Sequence, residues 1–205
     1  ILALIENDPQ LSTTTSRIDF VREFVYNNSI HQIDEEFDEY AYDTPRVLDM
    51  LYDHSLTGEN PPHLACDPRT YAMEKILRRL GFETRVVMTF TDEGKSLTTS
   101  HTFLEVFTTD TQAWEVQDPD YNVYYLDQRT QTRVSAATLL MEDLSQVQPI
   151  SSSAKQAESA RNNLMPRFFE AMVFLASGQD SFTLINTTRY EVSKIQAFLP
   201  GENAA

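Results

Sequence analysis

The chain has 205 residues, 41% of them hydrophobic and 11% aromatic, enough for a sizeable core and enough to exclude a wholly disordered protein. Its 31 acidic and 16 basic residues give a formal charge of -15, which sets nucleic acid and anionic membrane faces against it as partners. The single cysteine, Cys66, excludes an intramolecular disulfide and a zinc site built from several cysteines, and gives a mild lean to a reducing, cytoplasmic setting.

Residues 1–16 read as a leader that ends in a helix cap at Ser16. The first residue is Ile1 rather than Met, which fits a processed form or a piece of a longer protein. From Arg17 onward Ile18, Val21, Phe24 and Val25 recur at helical spacing. The acidic stretch Asp34 to Asp43 lacks the spaced oxygen ligands and central glycine of an EF-hand loop and reads as a solvated face. Thr44-Pro45 opens a second helix, with Val47, Leu48, Leu51 and Tyr52 on one side. Residues 57–62, Thr-Gly-Glu-Asn-Pro-Pro, form a breaker. A third helix starts at Cys66-Asp67-Pro68 and runs to about Leu80, where Gly81 stands in the usual terminating position.

Three strand-like segments follow: Thr84 to Phe90, His101 to Thr108 and Ala113 to Asp118, with a further candidate at Tyr121 to Leu126. Helices first and an antiparallel meander afterwards predict an α+β class, with residues 17–145 as one domain. Residues 146–163 are rich in Ser, Gln, Ala and Asn and read as a linker or exposed loop. Residues 164–205 are expected to pack on the core as a helix, Met165 to Ala176, plus short strands near Phe182–Ile185 and Tyr190–Val192. No apolar run reaches the 18 or so residues that a membrane helix needs, so no membrane insertion is expected.

A thiol nucleophile needs a base beside it or an environment that favours its anion. Cys66, placed at a helix start, gains from the free N–H groups and dipole there. His101 is the candidate base and Asp118 the group that orients it. The two share one face of an antiparallel pair if the loop between their strands has an even number of residues. With two residues, His101 and Asp118 stand directly opposite. With four, Thr109 to Gln112, His101 faces Asp120 and Asp118 lies diagonal.

The ordered set Cys66–Gly81–Arg85, His101-x-Phe103-x-Glu105 and Trp114-x-x-x-Asp118-Pro119 resembles the core of the transglutaminase-like superfamily over roughly residues 44–125. The resemblance implies a papain-like fold, with the nucleophile at a helix start packed on an antiparallel sheet. It implies a Cys66-His101-Asp118 triad, with Arg85, Glu105 and Trp114 as framework. The sequence departs from the family in Leu64, where a glycine usually stands two residues before the cysteine. It departs also in Phe103 for the commoner tryptophan, and in Asp120 for the threonine of Asp-Pro-Thr.

The function implied is a cysteine hydrolase (peptidase or amidase) or an amine acyltransferase, working through a thioester to Cys66. Its substrate would be a protein, a peptide or a small amide or amine, and the acidic surface favours neutral or basic ones. No cofactor and no metal are called for. The oxyanion would be held by the Cys66 backbone N–H, with Asn60 or His63 nearby in sequence as a second donor. Arylamine acyl transfer is a close alternative, against which the lead into Cys66 lacks that family's Arg-Gly-rich run. The alternative from another class is a catalytically idle module of the same fold, used for protein binding or scaffolding.

Overall fold

The computed structural model describes residues 1–31, 40, 43–90, 100–141, 144–165, 171–176 and 182–185. They form an α+β fold around an antiparallel sheet. Helices α1 (Leu2–Asn7), α2 (Thr14–Asn27), α3 (Thr44–Thr57) and α4 (Cys66–Arg79) come first, with short parallel strands β1 (Ile30–His31) and β2 (His63–Leu64) between them. Strands β3 (Glu83–Phe90), β4 (Ser100–Thr108), β5 (Ala113–Asp118) and β6 (Val123–Asp127) follow. Then come α5 (Ala136–Met141), β7 (Val147–Ile150), α6 (Ala154–Ser159), a π-helical turn at Ala160–Leu164, β8 (Ala171–Ala176) and β9 (Phe182–Ile185). The sheet order is β7-β6-β5-β4-β3-β8-β9, every neighbouring pair antiparallel.

Alternation along the strands divides the interior into two cores. Leu104 and Val106 of β4 join Ile18, Val21, Val47, Leu51, Ala72 and Met73 from the helices α2 to α4. Val87, Phe103 and Val116 join Val123, Leu139, Ala160 and Leu164 in the second cluster. Among the described residues no helix is long and apolar enough to cross a membrane.

Three expectations are corrected. The leader is structured: Ile5 and Leu11 are buried in the first core, and α2 begins earlier than Ser16. Thr13 caps that helix, its hydroxyl accepting from the Ser16 N–H while the Ser16 hydroxyl accepts from the Thr13 N–H. The linker at 146–163 is instead strand, helix and π turn, because Val147, Ala160 and Leu164 reach the second core despite their polar neighbours. The helix expected over Met165–Ala176 is a strand from Ala171, which pairs with the outer edge of β3 from Arg85↔Ala176 to Phe90↔Ala171. A short run apolar on every side suits a covered strand as well as a buried helix, and pairing satisfies the open edge of β3. The strand at Phe182–Ile185 is present as β9. The Tyr190–Val192 segment and most of the acidic stretch 34–43 lie outside the described residues.

Candidate active site

Helix α4 presents Cys66 at its first position, after Ala65 as an N-cap that offers no side-chain bond. The first backbone bond of the helix runs from the Arg69 N–H to the Ala65 carbonyl, 3.3 Å, so the Cys66 amide precedes the hydrogen-bonded ladder. The half-buried Cys66 therefore has a free-donor helix end beneath it. Asp67, its neighbour, is lifted above the usual carboxylate range first by burial. Its own backbone N–H works the other way, and the charge of Asp120 adds to the rise. That rise weakens Asp67's opposition to a thiolate next door.

The loop between β4 and β5 has four residues, since Thr108 pairs with Ala113 and Leu104 with Gln117. Continued to the strand ends, this register sets His101 opposite Asp120 and places Asp118 diagonally on the same face. The His101 Nε2 lies 2.8 Å from Asp118 Oδ2, and both side chains are buried. The other carboxylate oxygen of Asp118 accepts the backbone N–H groups of Asp120 at 2.9 Å and Tyr121 at 3.1 Å. Tyr121 stands edge-on to the imidazole, with ring centroids 5.5 Å apart, and Phe103 lies on it at 6.0 Å.

Cys66 stands close enough to His101 to be among the groups that raise its imidazole, after Asp118. With Nε2 committed to Asp118, Nδ1 is the ring nitrogen left free to serve a thiol. Burial alone would push the imidazole down. The Asp118 charge and hydrogen bond, followed by the influence of Cys66, outweigh it and hold His101 well above its ordinary value. The direction of the shift favours the imidazolium over the neutral ring. Tyr125, fully buried, is pushed well above its ordinary value by burial and then by Asp118, so it remains a neutral phenol.

Arg85, Glu105 and Trp114 form one framework cluster. The Arg85 Nε donates to Glu105 Oε2 at 2.5 Å, and its guanidinium lies 4.2 Å from the Trp114 ring centroid. The second Glu105 oxygen accepts the Ala136 N–H at 2.6 Å, which fixes the start of α5. Asn60 is exposed in the loop before β2 with a left-handed backbone, φ 50°. The His63 N–H is donated to the Tyr40 hydroxyl at 2.9 Å, so any His63 contribution to an oxyanion falls to its side chain.

Sequence reasoning missed two arginines that grip the turn carrying Asp118. Arg22, 1% exposed, donates to Gln117 Oε1 at 2.6 Å and to Asn122 Oδ1 at 3.1 Å, on either side of the turn. Arg69, also 1% exposed, donates to the carbonyl and carboxylate of Asp120 between them. His31 completes this group, its Nδ1 2.7 Å from Asp120 Oδ1. A signal for both arginines existed. Arg22 stands with Ile18, Val21 and Val25, and Arg69 with Ala72, Met73 and Ile76, each on the apolar face of its helix. A cleft of about 490 Å³ opens beside them, lined by Tyr26, His31, Arg69, Asp120, Tyr121 and Gln156 among others. Among the described residues no three His, Cys, Asp or Glu side chains converge to hold a metal ion.

No protein-family model matches this chain, and no curated protein matches it.

Proposed function

We propose that the chain is a cysteine enzyme of the transglutaminase-like type, with a papain-like core, that cleaves or transfers the acyl group of an amide. The observation that carries this reading is one buried imidazole hydrogen-bonded to Asp118 through Nε2, with Cys66 at the start of its helix near enough to influence the same ring. In the first half-reaction the Cys66 sulfur attacks the carbonyl carbon and forms a C–S bond. The tetrahedral oxyanion rests on the Cys66 backbone N–H at the helix start. The C–N bond then breaks, and the departing amine takes its proton from the His101 imidazolium. In the second half-reaction water, or a second amine, gives a proton to His101 as it attacks the thioester. The C–S bond breaks and the thiolate returns. Asp118 keeps the imidazole in one orientation throughout, and the buried Phe103 ring with the half-buried Tyr121 ring limits its rotation. The cleft lined by Asp120 and Tyr121 offers space for part of a substrate.

The rival reading, an idle module, draws on Leu64. It is fully buried and paired with His31 in the β1–β2 bridge, where the related pattern has a glycine. The two readings separate by acyl trapping. Incubation with p-nitrophenyl acetate followed by intact-mass analysis is expected to show one acetyl group on Cys66, with release of p-nitrophenolate. Asp118→Ala is expected to slow that release by about a hundredfold or more. An unmodified Cys66 after prolonged incubation of the folded protein would favour the idle module.

A further inference from the structure

We infer that Arg69 is a positioning residue of the candidate triad: its guanidinium fork locks the helix that starts with Cys66 onto the turn that carries Asp118. This rests on the Cys66-His101-Asp118 reading and goes beyond it, because Arg69 touches none of the three side chains in the contacts described above.

The geometry is specific. Arg69 lies one turn after Cys66 on α4. Its Nη1 donates to the Asp120 carbonyl at 3.1 Å and to Asp120 Oδ1 at 3.0 Å. Its Nη2 donates to the Ser29 carbonyl at 3.0 Å, and the guanidinium lies 5.5 Å from the Tyr26 ring centroid. One planar group therefore joins three elements: α4, the turn after β5, and the junction between α2 and β1. The residue it holds in the turn, Asp120, is the one whose backbone N–H donates to Asp118 Oδ1. The mechanical path from Cys66 to the imidazole's partner thus runs through one side chain. Only a fork can make these contacts at once, since a lysine ammonium is a single point on a flexible stem.

Charge is nearly balanced here, which separates positioning from simple electrostatics. Asp120 is met by Arg69 from α4, by His31 from β1 and by His101 from β4, while Asp67 on α4 and Asp118 on β5 bring negative charge nearby. Arg69→Lys keeps the positive charge and removes the fork. The experiment measures iodoacetamide alkylation of Cys66 across pH in the folded protein, in wild type, His101→Ala, Arg69→Lys, Asp118→Asn and the Arg69→Lys/Asp118→Asn double variant, with circular dichroism to verify the fold. Arg69→Lys is expected to slow alkylation near pH 6.5 by about tenfold and to move its pH profile toward that of His101→Ala. The double variant is expected to be no slower than Asp118→Asn alone, because both changes release the same carboxylate. Should Arg69→Lys not fold, the near-isosteric Asp120→Asn takes its place in the cycle, with slowing in the same direction expected.

Alkylation at the wild-type rate in either folded variant overturns the inference, as does slowing that multiplies with that of Asp118→Asn. A wild-type profile that His101→Ala leaves unchanged would instead overturn the triad itself, and the positioning role with it.

Discussion

Glu105 shows how a charged residue can be essential without taking part in chemistry. It is fully buried, paired with Arg85 through one oxygen and bonded to the Ala136 N–H through the other. Burial raises its carboxyl above the ordinary range, while the Arg85 charge, the Ala136 amide and the Arg85 hydrogen bond pull it back. Glu105→Ala takes this acceptor from the Arg85 Nε and from the Ala136 N–H. It is expected to lower unfolding free energy by about 3 kcal/mol in urea titrations. Cys66 alkylation in the folded fraction should hardly change. A loss of alkylation without a loss of stability would move Glu105 from framework to chemistry. Cys66, His101 and Asp118 and these framework positions were singled out in the sequence because together they form an ordered set that resembles the transglutaminase-like pattern. Arg69 and Arg22 were not, because an arginine within a helix ordinarily belongs to a solvated face. Only its phase against Ala72 or Val21 shows that it points inward.

Among the elements, β3, β4 and β5 were readable because alternation along each strand marks it, while their register waited on the four-residue loop between β4 and β5, one of two lengths the sequence allowed. The limits of α4 were readable from its breaker and from Gly81, which adopts φ 87° beyond the helix end. Strand β8 was not readable, since its identity depends on the vacant edge of β3 rather than on its own residues. The first sixteen residues were misread because short apolar contacts such as Ile5 and Leu11 carry no periodic signal. Their structure now makes a prediction. Thr13→Ala removes one half of the capping box of α2 and is expected to cost about 1 kcal/mol, read as a lower midpoint in urea. An unchanged midpoint would mean that α2 is held by its buried face alone. Because α2 carries Arg22, fraying at Thr13 should leave the turn near Asp118 in place, two helical turns farther on.

For the whole molecule, the acidic composition gives net charge but does not mark the site; the ion pairs that matter are internal. Asp120 illustrates the consequence for pH. Burial would raise its carboxyl, yet the hydrogen bond from His31 and the charges of Arg69 and His101 hold it below the usual range. A carboxyl lowered in the native state binds fewer protons there than in the unfolded chain between the two values. Its contribution to stability is therefore fully present above about pH 3.9 and is lost as pH falls through the lowered native value. Asp120→Asn should flatten that acid limb in pH-dependent thermal melts, while an identical limb would assign the loss to other carboxylates. The two-core architecture, with helices on both faces of the sheet, brings residues 66, 101 and 118 together from one helix and two strands.

The measurement that bears most directly on the central claim is the alkylation rate of Cys66 against pH in the native protein and in His101→Ala. A thiolate held by the imidazolium predicts rapid modification near pH 6.5, where a free thiol is mostly protonated, and a loss of about tenfold or more in the variant. Equal rates in the two proteins, or a Cys66 that reacts only once the chain unfolds, would contradict the claim and leave a buried structural thiol in place of a nucleophile.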